Sequence, residues 1–156
     1  MLSTQSNLAF SYSFLGRNEE ALRVNSEVYS GRLKLNGEEN AKTIAAANNY
    51  ASSLGGLQRL EEAKSLLLRI LPVARRALGE AHETTLQMRW NYALALYKDA
   101  GATLDDLREA VATLEDAERI ALRLLGGAHP LTGRFEFRLQ EARAALAARV
   151  TPSASA

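Results

Sequence analysis

The 156-residue sequence contains no cysteine, which excludes disulfide bonds, thiolate metal sites and thiol nucleophiles. It is also poor in β-branched aliphatic residues, with five valines and three isoleucines against 27 alanines and 26 leucines. Strands favour β-branched and aromatic residues, whereas alanine and leucine favour helices. A hydrophobic share of 47% with 24% charged residues is typical of a folded domain. The composition therefore predicts one helical domain.

An excess of one charge and long hydrophobic runs are also lacking. The formal net charge is +1, which gives no reason to expect nucleic acid or an anionic membrane surface as a partner. No window reaches the 18 or more apolar residues of a membrane span, so no membrane insertion is expected. The first ten residues, MLSTQSNLAF, have neither the basic nor the apolar region of a signal peptide. We therefore expect a cytoplasmic protein.

The sequence is self-similar at a fixed spacing, and such a repeat decides the fold class. Residues recur every 42 positions, at Asn7, Asn49 and Asn91 and at Ala9, Ala51 and Ala93. The spacing then grows to 47, as between His82 and His129, because KDAGATLDDLREA is longer than the corresponding FLGRNEEA and GLQRLEEA. These spacings predict three units near 1–40, 41–82 and 83–129, a capping helix over 130–149 and a disordered tail over 150–156.

Each unit is predicted to consist of two helices. Apolar residues at helical spacing mark the first helix, and the longer second helices are expected near 18–36, 59–78 and 104–125, each followed by glycine. Pro72 is expected to kink or split the middle one. The insertion should lengthen one joint and be removable at little cost. One helix pair cannot bury its apolar face alone, so the units should stack into a solenoid.

The segments NLAFSYSFLGRNEEAL, NYASSLGGLQRLEEAK and NYALALYKDAG…LREAV resemble the tetratricopeptide repeat. The 42-residue period and the linkers LNGEEN, LGEAHETT and GGAHPLT are similar to the longer repeats of kinesin light chains. Leu54 and Gln58 depart from the pattern, since tyrosine and glycine are usual there. The resemblance covers residues 2 to about 148. It implies an all-α, right-handed superhelix whose first helices line a concave groove that binds proteins or peptides, usually without catalysis.

Asn7, Asn49 and Asn91 occupy the same repeat position in the three first helices. This recurrence calls for an explanation, because asparagine is a mediocre helix former. They either fix the turn between helices through a side-chain hydrogen bond or form a row of amides that pairs with a ligand's backbone. Both interpretations stay open. The groove implied by the resemblance is lined by Asn7, Phe10, Phe14, Asn48, Asn49, Ser52, Asn91, Leu94, Tyr97, Lys98 and Arg138. Trp90 is interpreted as a packing residue.

The sequence contains no arrangement of catalytic or metal-binding residues. His82 and His129 share one phase of the repeat, and a residue that recurs with the repeat serves the scaffold more often than a unique site. Carboxylate pairs such as Glu61 and Glu62 open second helices, where the helix dipole favours anions. HExxH, P-loop, GxSxG and GxGxxG motifs are absent. We therefore predict no enzyme, no catalytic residue, no metal and no cofactor.

The predicted function is that of an interaction module that binds a peptide or another protein in its concave groove. Some tetratricopeptide domains bind a C-terminal carboxylate with lysine, arginine and asparagine. Here Ser6, Phe10, Gln87 and Asn91 hold those places, so binding of that kind is not expected. The alternative function is a structural subunit of a larger assembly, held through its end or convex surfaces. The uncapped N-terminal end of the first unit is predicted to be either a contact surface or the scar of a truncation.

Overall fold

The computed structural model describes residues 2–151, and over that range the regular structure is α-helix throughout. Its seven helices are α1 (Leu2–Phe14), α2 (Asn18–Asn36), α3 (Ala41–Gly56), α4 (Leu60–Leu78), α5 (Glu83–Tyr97), α6 (Leu104–Leu125) and α7 (Pro130–Val150). The predicted all-α fold is confirmed, and each second helix begins and ends within one residue of its expected position. Residues 152–156 of the predicted tail lie outside the described residues.

The helices form two layers. Each helix packs against the next along the chain, and α3 also contacts α5, which in turn contacts α7. The odd-numbered helices form one layer, since residues of all four line a common cavity. Side-chain contacts join α2 to α4 and α4 to α6, which form the other layer. Fully buried side chains such as Ile44, Leu67 and Leu114 come from both layers and fill the space between them. The result is a solenoid of three helix pairs, closed by α7.

Small residues let the two helices of each pair approach closely. The six alanines at repeated positions are all buried, with at most 2% of their surface exposed: Ala9, Ala21, Ala51, Ala63, Ala93 and Ala110. Larger side chains such as Leu54 and Leu96 are also buried and pack around them. The repeated alanines of the sequence are thus core positions, as close packing of helices requires.

The first helix after each linker begins at a capping side chain. Asn40 Oδ1, His82 Nδ1 and His129 Nδ1 accept hydrogen bonds from the backbone N–H groups two residues further on, at 2.9, 3.1 and 3.2 Å. These three positions keep the spacings of 42 and 47 residues. The prediction that the histidines serve the scaffold is therefore confirmed, since an N-cap satisfies a backbone donor that the helix leaves unpaired.

His82→Ala should lower the free energy of unfolding by about 1 kcal/mol, because the first turn of α5 loses its side-chain acceptor. His82→Asn should stay close to the wild type, since asparagine already caps α3 at the same phase. Urea denaturation monitored by circular dichroism measures both variants. Equal losses for alanine and asparagine would show that the imidazole has a role other than capping.

Glycine ends each second helix, as predicted. Gly37, Gly79 and Gly126 have φ angles of 78°, 96° and 83°, in the left-handed region that glycine adopts without strain. Pro72, by contrast, does not split α4, which runs unbroken from Leu60 to Leu78. Buried Leu71 and Val73 on either side of the proline hold this part of the helix against the core.

The insertion in the third unit is packed rather than loose. It lengthens the joint between α5 and α6 to residues 98–103, compared with 15–17 and 57–59 in the other units. Ala102 is buried, and its carbonyl accepts a hydrogen bond from Arg149 Nη2 at 2.5 Å. Thr103 forms a capping box with Asp106. Removal at little cost is therefore no longer expected, because it would take away a helix cap and a buried contact.

The last helix presents a polar outer face. Gln140 and Arg143 of α7 stand at the phase that buried Ala93 and Leu96 hold in α5, and both are exposed. Capping helices of solenoids carry polar faces of this kind. The polar outer face of α7 therefore agrees with its predicted capping role.

Candidate functional site

A groove runs along α3 and α5, and residues of α1 and α7 also line it. It consists of two adjoining cavities of about 380 and 520 Å³, which share Ser52, Asn91 and Leu94. The smaller one, called the joint cavity, lies at the C-terminal ends of α3 and α5 and also includes Gly55, Gly56, Lys98 and Arg138. The larger one, called the linker cavity, also includes Phe10, Asn48, Asn49, Gln87, Trp90 and Arg134. Eight of the eleven predicted groove residues thus line one of the two cavities.

The repeat explains why these side chains share one surface. Phe10, Ser52 and Leu94 are 42 residues apart and therefore occupy the same phase of three first-layer helices. The same phase in α7, 47 residues further on, holds Glu141. The asparagine phase of units 1 to 3 holds Arg138 in α7. The groove is therefore neutral along α3 and becomes charged where α7 completes it.

The joint cavity has an apolar floor and an open side. Ala51, Ala63 and Ala95 are buried at its base. A Cβ atom added to Gly55 or Gly56 would meet no atom within 4 Å, so the two glycines leave free space beside it. Apolar floors with a few polar groups at the edge are typical of binding cavities.

Two cations of the joint cavity share one carboxylate. Arg138 Nη1 donates to Glu141 Oε2 at 2.7 Å, and Lys98 Nζ lies 3.5 Å from Glu141 Oε1. The hydrogen bond from Arg138 is the main reason that the pKa of Glu141 is lowered. Two positive charges therefore face a single negative one at this end of the groove.

Tyr97 is not available to a partner as an exposed aromatic group. It is only 8% exposed, and its hydroxyl donates to Glu141 Oε2 at 2.8 Å. Burial is the main cause of the raised pKa of this tyrosine, so it stays protonated as a donor. The expectation of a groove-facing ring fails because α7 covers α5 at this point.

The linker cavity contains the aromatic part of the groove. Phe10 is 75% exposed, and half-buried Trp90 lies with its ring 5.8 Å from that of buried Phe135. The guanidinium groups of Arg134 and Arg138 lie 5.0 and 5.5 Å from the Trp90 ring centroid, within the range of cation–π attraction. Trp90 therefore packs against α7, as predicted, and also lines the groove.

Some of the asparagine side chains make hydrogen bonds within the scaffold, and others are free to pair with a ligand's backbone. Asn91 Nδ2 donates to Asn48 Oδ1 at 2.9 Å, and Asn48 Nδ2 donates to Gln87 Oε1 at 3.3 Å, so these side chains tie α5 to α3. Asn7 and Asn49 are exposed, and no side-chain hydrogen bond is found for either within the described residues. Asn91 and Asn48 thus support the scaffold, whereas Asn49 faces the linker cavity with a free amide.

Arg134 is a charged groove residue that sequence reasoning missed. It is exposed over Trp90, and no carboxylate lies within ion-pair distance of it in the described part of the chain. Its spacing of four residues from Arg138 placed both on one face of α7, and this was the signal that could have identified it. Its charge adds to the positive end of the groove.

Asn7 and Phe14, also predicted to line the groove, are not among the residues that line either cavity. Phe14 is 84% exposed at the last turn of α1, next to Leu15 at 69%. Together they form an exposed apolar pair at the N-terminal end of the solenoid.

Across residues 2–151, no group of three or more histidine, aspartate and glutamate side chains is placed to hold a metal ion. Over the same range, no helix has the length and apolar character needed to cross a membrane.

Three comparisons relate the chain to known proteins. A family model described as "Tetratricopeptide repeat" matches residues 1–41 and 43–84, more than half of the chain. Comparison with the curated proteins found no match. Among solved structures, this chain is similar to the nearly identical TPR-like repeats of a putative kinesin light chain from Podosopora anserina. It has a TM-score of 0.82 and 25% identity over 92% of this chain.

Two further structures resemble the chain. A single-substitution form of the Podosopora anserina protein has a TM-score of 0.81 and 24% identity over 92% of this chain. This chain spans 66% of the length of both forms. BtubC (BKLC) from P. vanneervenii has a TM-score of 0.61 and 18% identity. The match covers 99% of this chain and 68% of the BtubC chain. At this identity the likeness concerns the fold alone.

Proposed function

We propose, since this chain belongs to the tetratricopeptide repeat family, that its groove binds a segment of another protein. The chain is a protein-interaction repeat module, and its fold is of a non-catalytic scaffold type. The partner, an extended peptide or a helix, would lie along α3 and α5. The single observation that carries this proposal is that the joint and linker cavities meet at Ser52, Asn91 and Leu94.

The chemistry of the groove suits a peptide. Exposed Phe10 and half-buried Trp90 offer apolar surface in the linker cavity, and aromatic groups provide much of the binding energy in protein interfaces. The free amide of Asn49 can donate to and accept from a peptide backbone. Such a mixture of aromatic anchors and amides fixes both the position and the register of a bound segment.

Filling the meeting point of the two cavities should weaken this binding. Ser52 is exposed on α3, so Ser52→Trp adds bulk in the groove without disturbing the core. A displayed library of random twelve-residue peptides is selected on the wild-type protein, and the enriched peptides are titrated by fluorescence anisotropy. We expect at least a tenfold loss of affinity for Ser52→Trp, about 1.4 kcal/mol.

Ser65→Trp is the matched control. Ser65 is an exposed serine of α4 in the other layer, so the same substitution there leaves the groove open. Its affinity for the selected peptides should equal that of the wild type. Loss of binding in Ser65→Trp, with Ser52→Trp unaffected, would instead favour the alternative, in which partners dock on the convex surface.

The N-terminal end is a second candidate contact. The exposure of Phe14 and Leu15 favours it, because adjacent large apolar side chains are often covered by a partner. We expect sedimentation velocity at increasing protein concentration to reveal self-association that Phe14→Ser weakens. A monomer that is unaffected by concentration and by Phe14→Ser would remove this candidate and leave the groove proposal untouched.

A further inference from the structure

Glu141 is the most heavily bonded carboxylate of the groove end. Its Oε2 atom accepts hydrogen bonds from the Tyr97 hydroxyl at 2.8 Å and from Arg138 Nη1 at 2.7 Å. Its Oε1 atom lies 3.5 Å from Lys98 Nζ. A buried hydroxyl and two cations therefore converge on one carboxylate, which is the donor set that proteins use to bind carboxylate ligands.

The repeat phase puts this carboxylate in the place of a groove residue. Glu141 occupies in α7 the phase that Phe10, Ser52 and Leu94 occupy in the earlier units, and those three line the groove. Lys98 and Arg138 themselves line the joint cavity. Glu141 thus contacts both of the cations that line that cavity.

We propose that Tyr97, Lys98 and Arg138 form a carboxylate-binding site at the edge of the joint cavity, and that the chain's own Glu141 occupies it. A carboxylate of a partner binds there by displacing Glu141. The inference rests on the proposed function, because it names the chemical group that the groove accepts at this end. Glu141 then sets how tightly an acidic group of a partner binds at this end of the groove, because the two compete for the same donors.

The exposure of the side chains makes the exchange feasible. Glu141 is 31% exposed and Lys98 43% exposed, so the glutamate can swing into solvent, where it is well hydrated. The donors left behind need another anion, because a buried tyrosine hydroxyl without an acceptor costs free energy. The lowered pKa of Glu141 keeps it ionised, so its competition with an incoming carboxylate is constant near neutral pH.

The test removes Glu141 and supplies a small carboxylate instead. Wild type, Glu141→Ala and the control Glu136→Ala, an exposed glutamate of the same helix, are titrated with sodium acetate at pH 7.5. Sodium chloride keeps the ionic strength constant, and the amide NMR signals of Tyr97 and Lys98 report binding. N-acetylglycine, titrated in parallel, represents the carboxylate at the end of a chain, whereas acetate represents an acidic side chain.

We expect Glu141→Ala to bind at least one of the two probes tenfold more tightly than the wild type or Glu136→Ala does. The tighter probe identifies the source of the carboxylate. Equal and weak titrations in all three proteins would overturn the proposal. If Glu141→Ala fails to fold, Glu141→Gln takes its place, and an affinity at least threefold above the wild type is required. Because no protein partner is used, failure here is distinct from failure of groove binding.

Discussion

Replacing Phe135 by alanine should lower the free energy of unfolding by about 3–5 kcal/mol, the usual cost of removing a buried phenylalanine. Phe135 has no exposed surface, and its ring packs 5.8 Å from that of Trp90. Loss of the ring leaves a cavity between α7 and the rest of the solenoid. Because α7 carries Arg138 and Glu141, the charged end of the groove should loosen with it.

Phe137→Ala is the control for this prediction, since Phe137 lies two residues away on the same helix and is 57% exposed. Its cost should stay within about 0.5–1 kcal/mol, as for other partly exposed surface positions. Urea denaturation gives both values, and native-state hydrogen exchange shows whether α7 opens first. Similar losses for the two variants would contradict the assignment of Phe135 as the residue that anchors α7.

The repeat made most of the fold predictable. A helix pair that recurs every 42 residues repeats its core, cap and turn positions together, so Ala51 and Ala93 identify core sites and His82 and His129 identify linkers. The glycines that end the second helices follow from the same register. These features depend on local sequence and on the contact between neighbouring units, both of which recur along the chain.

The side chains that face the groove were less predictable than the fold. Adjacent positions on a helix differ by about 100°, so the sequence alone did not decide that Asn48 bonds across to α5 while Asn49 stays free. Tyr97 was misplaced for another reason. Its exposure depends on how α7 lies over α5, and α7 lacks the asparagine and alanine signature that would have fixed its register.

Asp116→Ala should lower the free energy of unfolding by about 2–3 kcal/mol, below the 3–5 kcal/mol typical when a buried ion pair loses one partner. Arg89 on α5 has a side chain only 5% exposed, and its Nη2 donates to Asp116 Oδ2 on α6. Asp116 is 43% exposed and Glu80 remains 3.5 Å from Arg89, which moderates the loss. Without Asp116 the buried guanidinium keeps its charge but loses its main partner.

A double-mutant cycle isolates this interaction. In the Arg89→Met background there is no buried charge to compensate, so Asp116→Ala should then cost less than about 0.5 kcal/mol. The same cost in both backgrounds would show that the two residues are not coupled. Denaturation of the four proteins at pH 7 provides the comparison.

The pH dependence gives the same prediction a second readout. The pKa of Asp116 is lowered from its ordinary value of 3.8, chiefly by the hydrogen bond from Arg89. Near pH 4 the folded state therefore binds fewer protons at this group than the unfolded state does, and stability falls as the pH drops through the lowered pKa. The wild type should lose stability more steeply than Asp116→Ala below pH 4, whereas above pH 5 the difference between them should stay constant.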